Sequence, residues 1–432
     1  MFPSSSAFRL IQSALGRHLF VVDGSRLYDL SDDISTGEIE RMIDQVQGAH
    51  PPHIDDTPLA PPPLQSLSLN LAQACNMGCS YCYADAGTFG GKPRMMSTEV
   101  AHAATDRLIS EAAPGADLLL GFMGGEPFLH RALMRDVVPY ARQRAEASGR
   151  TIRFSVTTNA TLLTEDDVEF LAEEDFQVAV SIDGPKELND SQRPLKGGGS
   201  AHEKVVKALE KFDRIGRPRH LSARATVAPR RGPLRPILDH LVGLGFDSVG
   251  FSPILVSPVP SSAFTASDFE EFRDEMIQCG IRAKEALLAR EVYPFSNFET
   301  ALHEIHRGSH RPYPCGAGAA YLSVDADGGL FACHRLVSDE RFAMGNVYSG
   351  SDVVRRAAHL RERHVHTQEP CKSCWARYLC GGGCYHEVER RGRISCDYIR
   401  AWLTFCIASY AEISSLMPDY FVSPHRHYAE AS

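Results

Sequence analysis

The sequence predicts an α/β protein, a partial (β/α)6 TIM-like barrel that follows a small N-terminal α+β module and precedes a Cys-rich C-terminal domain. Three observations lead to this order. Strand-like and helical segments alternate six times in the middle of the chain, short strands and one helix come before them, and Cys and Gly become denser after about residue 310. The predicted domains are 1–60 for the module with a Pro-rich linker, 61–300 for the barrel, 301–415 for the Cys-rich domain and 416–432 for a C-terminal tail.

The leading module contains short strands around FRLIQ and HLFVVDGSRLYDL, followed by a helix in STGEIERMIDQV. Ser35 or Thr36 can cap the start of that helix. The next stretch, PPHIDDTPLAPPP, has clustered prolines, which favour a stiff and extended linker. We therefore place the first domain boundary near residue 60.

The barrel prediction rests on six apolar or alternating segments: LQSLSLNL, DLLLGFM, TIRFSVTT, QVAVSI, LSARATV and SVGFSPIL. Each is followed by a helical stretch, and several of these begin at Ser, Thr or Asp and end near Gly. Such alternation requires parallel strands joined by right-handed crossovers. Any chemistry is then expected at the carboxyl ends of the strands.

The composition excludes several classes of function. The 432 residues are 43% hydrophobic and 23% charged, as in globular proteins, and a net charge of −9 without a basic run argues against a nucleic-acid partner. No apolar stretch is long enough to span a bilayer, and the start, MFPSSSAFRL, lacks the layout of a secretion signal. We therefore expect a cytoplasmic protein without a membrane partner. Twelve cysteines in such a protein indicate metal or catalytic use rather than disulfides.

The first barrel strand ends in ACNMGCSYCYA, which places Cys75, Cys79 and Cys82 on the following loop. Three thiolates leave one metal position without a protein ligand, so a cubane iron–sulfur cluster bound here can take a chelating molecule at its fourth iron. Zinc is the competing metal, although a catalytic zinc site usually includes a histidine or a carboxylate.

The segment CNMGCSYC resembles the three-cysteine motif of the radical S-adenosylmethionine (SAM) superfamily. The resemblance implies a [4Fe–4S] cluster on these three cysteines, whose open iron binds the amino and carboxylate groups of SAM. In that superfamily electron transfer releases a 5'-deoxyadenosyl radical that abstracts hydrogen. The predicted barrel would then be a radical SAM barrel. An external donor such as flavodoxin or ferredoxin would supply the electrons.

Four further segments resemble SAM-binding segments of this superfamily. MGGEP after the second strand is similar to the motif that holds the methionine amino group, TTNAT and SIDGP follow the next two strands, and NDSQRP contains an arginine that resembles the partner of the methionine carboxylate. The implied cofactor-binding residues are Tyr81, Gly124, Gly125, Glu126, Pro127, Asn159, Ser181 and Arg193. Alternatives remain: GGEP alone is a turn with an acid, Tyr81 can pack under the cluster, and Arg193 can be an exposed arginine at a helix start.

Seven cysteines form a longer C-terminal pattern: Cys315, Cys333, Cys371, Cys374, Cys380, Cys384 and Cys396. Their spacing resembles the SPASM extension of radical enzymes that modify peptides and proteins, which holds up to two auxiliary clusters. The resemblance implies two auxiliary [4Fe–4S] clusters. Their ligands would be Cys371, Cys374, Cys380 and Cys396 for one, and Cys315, Cys333 and Cys384 for the other. Two structural zinc sites are the alternative, since CxxC pairs are common zinc ligands.

The remaining Cys and His residues are expected to play smaller roles. Cys279 is predicted to be a buried helix thiol and Cys406 a core residue, so the cluster at Cys315 would keep an open iron or take a non-cysteine ligand. A helical stripe of three histidines precedes Cys315: His303, His306 and His310. These can supply a ligand, although a solvated face is the more common role for such a stripe.

A longer resemblance runs from QACNMGCSYCYADAGTFGG through RPYPCGAGAAYLSV to EPCKSCWARYLCGGGCYHEV. Over most of residues 64–410 the chain is similar to the maturase family of quinohemoprotein amine dehydrogenase, which forms thioether bonds between Cys sulfur and side-chain carbons of Asp or Glu in the small subunit of the dehydrogenase. This implies a Cys- and Asp/Glu-containing peptide or small protein subunit as substrate. Maturases of ribosomal peptides share fold, clusters and bond type, so other thioether or carbon–carbon (cyclophane) crosslinks remain open.

A thioether-forming enzyme needs a base if the thiol arrives protonated. Asp183 is the candidate, because a carboxylate at the end of the fourth strand would face the barrel mouth together with Asn159 and Ser181. Bonding to the SAM ribose or within the SIDG turn is the alternative role. Sulfatase-maturing enzymes carry an Asp after the cysteine that corresponds to Cys333, but His334 stands here, so that base cannot be carried over.

The leading module weakly resembles the peptide-recognition element of many peptide maturases, which takes up a substrate segment as an extra strand. A structural cap for the barrel is the alternative. Two other classes of function remain. An iron–sulfur electron carrier would leave MGGEP without a purpose, and the acidic charge and the seven cysteines disfavour a radical enzyme that acts on RNA or a small metabolite.

Overall fold

The computed structural model describes residues 6–48, 52–54, 60–230 and 232–422. Its strands are β1 (Phe8–Ser13), β2 (Gly16–Val21), β3 (Arg26–Leu30), β4 (Ser66–Gln73), β5 (Arg94–Met95), β6 (Asp117–Gly124), β7 (Thr151–Thr158), β8 (Gln177–Ser181), β9 (His220–Val227), β10 (Ser248–Pro253), β11 (Tyr321–Val324), β12 (Gly329–Phe331), β13 (Ala343–Asn346) and β14 (Gly350–Ser351). Its helices are α1 (Thr36–Gly48), α2 (Thr98–Glu111), α3 (Arg131–Ala147), α4 (Glu165–Glu173), α5 (Lys186–Gln192), α6 (Ala201–Ile215), α7 (Leu234–Gly243), α8 (Asp268–Leu288), α9 (Ser296–His306), α10 (Val353–Arg363), α11 (Arg377–Cys380), α12 (Tyr385–Arg391) and α13 (Cys396–Leu416).

Two compact units divide the chain, and each combines separate stretches. The module unit consists of Met1–Pro58, Thr265–Cys315 and Arg361–Ser432, and the barrel unit consists of Leu59–Phe264 and Gly316–Leu360. Sequence patterns were assigned to consecutive stretches of the chain. They give no signal for a compact unit that combines separate stretches. The division into consecutive domains with boundaries at 60, 300 and 415 stays a prediction.

The sheet of the barrel unit contains the six predicted parallel strands in chain order. Its strands lie in the order β10, β9, β8, β7, β6, β4, β11, β12, β13 and β14, and the short β5 pairs with β4. Strand β4 is parallel to β6, and each further neighbouring pair from β6 to β10 is also parallel. Sequence analysis missed the extension beyond β4, where β11 pairs in parallel with β4 and β11 to β14 form antiparallel pairs. These strands are only two to four residues long, too short to show a period.

Apolar and polar side chains alternate along these strands, so one face of the sheet is apolar and the other is polar. The apolar face is buried, and on it the rings of Phe122, Phe154 and Phe176 stack with centroids 5.5–6.2 Å apart. The other face of β9 carries Ser222, Arg224 and Thr226, which stay at least partly open to solvent. The inner wall is therefore polar, as expected where a barrel binds a cofactor rather than filling its interior with side chains.

Local capping explains where the barrel helices begin. The side chain of Ser97 accepts a hydrogen bond from Val100 N at the start of α2, and Thr164 and Asp167 form a reciprocal capping box at α4. Helix α3 has the bounds that its sequence pattern predicts. Helix α8, which the sequence placed with the barrel, belongs instead to the module unit, because an amphipathic pattern predicts a helix without identifying the surface it packs on.

The module unit begins with the predicted strands and helix. Strands β1, β2 and β3 form an antiparallel sheet, and α1 packs on it. Glu38 accepts from Ser35 N while Ser35 Oγ accepts from Glu38 N, so Ser35 is the cap of α1. The buried core of this layer consists of Leu19, Val21, Leu30, Ile39 and Ile43.

Helices α8, α9 and α13 pack together in the same unit. A Cβ on Gly280 would lie 2.4 Å from Phe405 Cε1, so glycine permits the close approach of α8 and α13. Cys279 and Cys406 are both fully buried, which confirms their prediction as core thiols. None of the helices in the described part of the chain has an apolar stretch long enough to cross a bilayer.

Candidate active site

The three-cysteine loop, defined by Cys75, Cys79 and Cys82, follows β4 in the barrel unit. The thiols lie close enough that the charge of each acts on the others. Burial raises the pKa of Cys75 to about 11, and the negative charges of Glu126 and of the other two cysteines add to that effect. Burial also raises the pKa of Cys79. Three half-buried sulfur donors on one loop fit an iron–sulfur cluster that keeps one iron open, and a bound metal would deprotonate them.

A second segment holds this loop in place, and sequence analysis did not predict it. Leu195 forms an antiparallel bridge with Met77, Gly78 N donates to Pro194 O at 2.9 Å, and Lys196 N donates to Asn76 O at 3.0 Å. The Lys196 ammonium also donates to the carbonyl oxygen of Cys75 at 2.9 Å. Such pairing between residues far apart in sequence leaves no local signal.

The MGGEP segment at the end of β6 lies directly against the residue that precedes Cys75. Gly125 N donates to Ala72 O at 2.8 Å, and Glu126 N donates to Ala74 O at 2.9 Å. A Cβ on Gly125 would lie 2.2 Å from Ala74 O, and one on Gly124, whose φ is +138°, would lie 2.4 Å from Ala72 O. Glycine is therefore required at both positions, as the sequence analysis expected from close backbone approach.

Glu126 is fully buried, and its carboxylate connects the ends of β6 and β7 by hydrogen bonds. Its carboxylate accepts from Phe128 N at 3.1 Å, from Thr158 Oγ1 at 2.7 Å and from Asn159 N at 2.8 Å. Burial raises the pKa of Glu126 although these donors oppose the shift. Contact with the SAM amino group stays a prediction for Glu126 and for Pro127, which begins the next turn. The hydrogen bond from Thr158 to Glu126 was not predicted from the sequence.

Asn159 lies beside the first cluster cysteine. Its Nδ2 is 3.8 Å from Cys75 Sγ and donates to Asn76 Oδ1 at 2.9 Å, while its Oδ1 accepts from Thr161 N and Oγ1. An amide that donates toward sulfur stabilises a thiolate and tunes the cluster that the thiolate binds. Asn159 therefore lies where the sequence placed it, and its expected contact with SAM stays a prediction.

Tyr81, Asp183 and Arg193 form a buried triad next to the three-cysteine loop. Tyr81 donates to Asp183 Oδ2 at 2.5 Å, Arg193 Nη1 donates to Tyr81 Oη at 2.5 Å, and Arg193 lies 3.7 Å from Asp183 Oδ1. The second oxygen of Asp183 also accepts from Thr226 N at 2.9 Å. Ser181 precedes this group at the end of β8 and is partly exposed.

The electrostatics of this triad favour an ion pair. Burial disfavours the charge of Arg193, but Tyr81 and Asp183 outweigh that effect, so the pKa of Arg193 is raised. Burial raises the pKa of Asp183, while Arg193, Tyr81 and Thr226 N oppose the shift. The alternative of Arg193 as an exposed arginine at a helix start is wrong, because its side chain is buried at the end of α5.

The four-cysteine site lies in the module unit and consists of Cys371, Cys374, Cys380 and Cys396. All four line one recess that is partly open to solvent. Burial raises the pKa of Cys371 to about 11, and it raises the pKa of Cys380 and Cys396 as well. This complete set of sulfur donors fits a closed cluster site with no position for another ligand.

Two arginines border the four-cysteine site. Arg393 donates to Gly382 O at 2.7 Å and to Glu369 O at 3.0 Å, and its charge opposes the raised pKa values of Cys371 and Cys396. Arg400 bonds to Asp397 at 2.5 Å, and its charge also acts on Cys396. Sequence analysis missed both arginines, because a CxxC pattern carries no information about neighbouring charge.

The other predicted auxiliary ligands divide between the two units. Cys315 and Cys384 belong to the module unit, where their charges and burial raise the pKa of Tyr385, with burial the larger cause. Cys333 belongs to the barrel unit. A cluster shared by these three cysteines stays a prediction. All twelve cysteines lie among the described residues, and none forms a disulfide there.

The histidine stripe of the module unit packs on neighbouring side chains. His306 Nδ1 lies 3.2 Å from Tyr410 Oη and its ring stacks on Phe421, while His310 Nε2 accepts from Gly24 N. His303 stacks on Tyr420 with ring centroids 5.5 Å apart. These contacts assign structural roles to the stripe, and a ligand role for it stays a prediction.

Comparisons with known proteins support this interpretation of the site. Residues 69–231 match the family model of the radical SAM superfamily. The chain is 26% identical over 364 residues to the serine-type anaerobic sulfatase-maturating enzyme of Bacteroides thetaiotaomicron, a match that covers 74% of this chain and 82% of that relative. Residues 69–231 are therefore similar to the radical SAM superfamily, and sulfatase-maturating enzymes are among the homologues of the chain.

Two solved structures share its fold. Native anSMEcpe with bound AdoMet has a TM-score of 0.70 and 20% identity, with 82% of this chain and 99% of that chain covered. SuiB of Streptococcus suis bound to the precursor peptide SuiA has a TM-score of 0.55 and 13% identity, with 91% and 98% covered. The predicted α/β fold class is confirmed.

Proposed function

We propose that this protein is a radical SAM maturase that forms intrapeptide thioether bonds between Cys sulfur and an Asp or Glu carbon of a peptide or small protein subunit. The observation that carries the proposal is the three-cysteine loop held against MGGEP, together with a separate four-cysteine site. The bond type follows the sequence resemblance to the quinohemoprotein amine dehydrogenase maturase family. Homologues named for sulfatase maturation and a fold shared with the peptide-bound SuiB support a polypeptide substrate.

The residues that would hold the cofactors follow from the donor sets. Cys75, Cys79 and Cys82 would hold the SAM-binding [4Fe–4S] cluster, and the four-cysteine site would hold an auxiliary [4Fe–4S] cluster. Cys315, Cys333 and Cys384 would hold a second auxiliary cluster. When bound, these groups supply a hydrogen-abstracting radical and an acceptor for the electron that leaves the substrate. An external donor such as flavodoxin or ferredoxin would reduce the enzyme in the cytoplasm, where thiols stay reduced.

The chain's own residues must position SAM and accept one proton from the substrate thiol. The loops that contain Gly124, Asn159 and Ser181 lie at the ends of parallel strands, where a barrel binds its ligand. The role of Asp183 as the base for the substrate thiol stays a prediction from the sequence. The contacts of Asp183 with Tyr81 and Arg193 support a third role, in which it positions the arginine that would pair with the SAM carboxylate.

Sulfatase maturation is the alternative function, because relatives of the chain are named sulfatase-maturating enzymes. In that family an Asp follows the cysteine that corresponds to Cys333, whereas this chain has His334, whose Nδ1 lies 3.2 Å from Tyr321 Oη. An imidazole is a different base with a different pKa and reach. This substitution favours a different reaction on the substrate cysteine.

The experiment that tests the proposal incubates the reconstituted enzyme anaerobically with its cognate Cys-rich polypeptide, SAM and a reductant. Each thioether removes a pair of hydrogens from the polypeptide, and tandem mass spectrometry locates the loss. The crosslinked cysteines should no longer react with alkylating reagents. Carbon–carbon crosslinks with every thiol still reactive, or conversion of the cysteine to an aldehyde, would contradict the proposal.

A further inference from the structure

Two histidines and one carboxylate meet in the module unit, and the proposed function does not use them. This His–Asp cluster consists of Asp23, His53 and His310. One carboxylate oxygen and one ring nitrogen from each histidine lie within 4.8 Å of one another. His53 follows Asp23 by 30 residues and His310 follows Gly24 by 286, so no local sequence motif could predict the cluster.

Asp23 and His53 are spaced like two ligands of one metal ion. Asp23 Oδ2 lies 3.4 Å from His53 Nδ1, whereas His102 Nε2 lies only 2.8 Å from Asp136 Oδ2, the length of an ordinary hydrogen bond. Two ligand atoms on a tetrahedral zinc ion with bonds of about 2.0–2.1 Å lie about 3.3–3.4 Å apart. The other carboxylate oxygen of Asp23 accepts from His53 N at 3.2 Å, which fixes the carboxylate beside the ring.

His310 is oriented as a metal ligand would be. Its Nδ1 donates to the carbonyl oxygen of Gly308 at 2.6 Å, which leaves the lone pair of the ring on Nε2. A metal-binding histidine typically donates its other ring N–H to a backbone carbonyl or a carboxylate in this way. The lone pair on Nε2 accepts from Gly24 N, so it points at the turn that contains Asp23. A bound ion would compete with this N–H for the lone pair.

Other contacts hold the three parts of the cluster together. The Ser25 hydroxyl donates to the carbonyl oxygen of Ser309 at 2.9 Å, which joins the turn that contains Asp23 to the segment that contains His310. The ring of His53 stacks on the ring of His310, with centroids 4.9 Å apart and an angle of 19° between the planes. Small rotations of the side chains would therefore bring all three ligand atoms to the spacing that zinc requires.

We propose that Asp23, His53 and His310 bind one zinc ion, with water as the fourth ligand. Two imidazoles and one carboxylate are a donor set of zinc sites that have three protein ligands. His53 is exposed, so water can reach the fourth position. The ion would join the turn between β2 and β3, the segment after α1 and the segment after α9. This inference does not depend on the proposed function, because none of the three residues takes part in it.

The test measures zinc binding to the holoenzyme with its iron–sulfur clusters in place. The protein is dialysed anaerobically against buffers of known free Zn²⁺, and its zinc and iron are counted by elemental mass spectrometry. We expect about one zinc ion per chain with unchanged iron. His53→Gln and Asp23→Asn should each bind zinc at least about tenfold more weakly, since even the loss of a residue that only orients a ligand has an effect of this size. His102→Gln, which removes the partner of Asp136, is the matched control and should bind zinc as the wild type does.

A second measurement does not depend on any variant. X-ray absorption at the zinc edge of the wild-type holoenzyme should show nitrogen and oxygen ligands at about 2.0–2.2 Å, whereas zinc at a cysteine site would show sulfur at about 2.3 Å. Sulfur ligands would overturn the inference, because the zinc would then occupy a cysteine site. A wild type that binds no zinc, or equal zinc affinity in the wild type and in His53→Gln, would overturn it as well.

Chemical modification locates the site on the chain. Diethylpyrocarbonate modifies accessible histidines whose ring nitrogen has a free lone pair, and a bound metal ion blocks that nitrogen. Mass spectrometry of the wild-type holoenzyme should show that Zn²⁺ protects His53 from modification, while His102 should react equally with and without Zn²⁺. Modification of His53 at the same rate in both conditions would show that zinc is not bound by this residue and would overturn the inference.

Discussion

The three-cysteine loop and the four-cysteine site are built in different ways. The three-cysteine loop lies in the barrel unit and is held by backbone pairing, by the glycines of MGGEP and by buried polar side chains around Glu126 and Arg193. The four-cysteine site lies in the module unit, where the cysteines themselves line one recess and two arginines border it. Under the proposed function, the contacts around the first site would orient a second molecule at an open iron, whereas the four sulfur atoms of the second site would complete a cluster by themselves.

Under the proposed function, this difference identifies the three-cysteine loop as the site of an exchangeable ligand. An open iron is useful only if the loops around it orient the second molecule, and this requirement explains the dense contacts of Gly125, Glu126 and Asn159. A closed cluster needs no such loops and responds mainly to nearby charge.

Replacement of the whole three-cysteine loop should have the largest effect. The variant with Cys75, Cys79 and Cys82 changed to Ala should lose SAM cleavage completely, since no ligand for the first cluster would remain. Its iron content should fall from about 12 to about 8 atoms per chain, because the auxiliary clusters are held elsewhere. Iron analysis and detection of 5'-deoxyadenosine check both results.

The reciprocal control changes Cys374 and Cys396 to Ala. This variant should also lose about four iron atoms, but it should keep SAM cleavage and lose peptide modification. SAM cleavage that survives in the triple variant would refute the assignment of the open site.

Gly125→Ala should have the next largest effect. Its Cβ would lie 2.2 Å from Ala74 O, so the backbone just before Cys75 must move. Overpacking of this kind costs about 1–3 kcal/mol, and we expect SAM cleavage to slow by about tenfold or more. Gly243→Ala is the matched control, because a Cβ there meets nothing within 4 Å. Equal rates in the two variants would show that close approach at MGGEP is unimportant.

Asp183→Asn should have an intermediate effect on SAM cleavage. The buried Arg193 would lose its anionic partner, and we expect both SAM affinity and the rate of SAM cleavage to fall by about tenfold. Asp175→Asn, at an exposed pair with Arg219, should leave both unchanged. SAM cleavage at the wild-type rate with crosslinking lost would instead identify Asp183 as the base for the thiol. Wild-type activity in both assays would remove it from either role.

Arg393→Gln should produce the smallest change. Loss of a positive charge beside the four-cysteine site disfavours the more negative, reduced cluster, so the reduction potential of that cluster should fall. Arg393→Lys should restore most of the potential, while the exposed Arg390→Gln should leave it unchanged. Protein-film voltammetry measures the shift, and a rise in potential would show that the arginine does not act through its charge.

Much of the fold could be predicted from the sequence because its signal is local. Strand β7 and helix α3 have the bounds that their patterns predict, and Ser35 caps α1 as expected. The cysteines and MGGEP could be identified for the same reason, since a metal site built on a single loop leaves its spacing in the sequence. Strands β11 to β14 were missed because each is too short to show a period.

The order of strands and helices, the three thiols of the first site and the glycines beside them could be identified from sequence, because each depends on spacing along a short stretch of chain. The surroundings of these residues depend on contacts made only in the folded chain. Leu195 pairs with Met77, Arg193 is buried against Asp183, and Glu126 bonds to Thr158. These contacts join residues far apart in sequence, and neither the burial of a charge nor its partner follows from a local pattern.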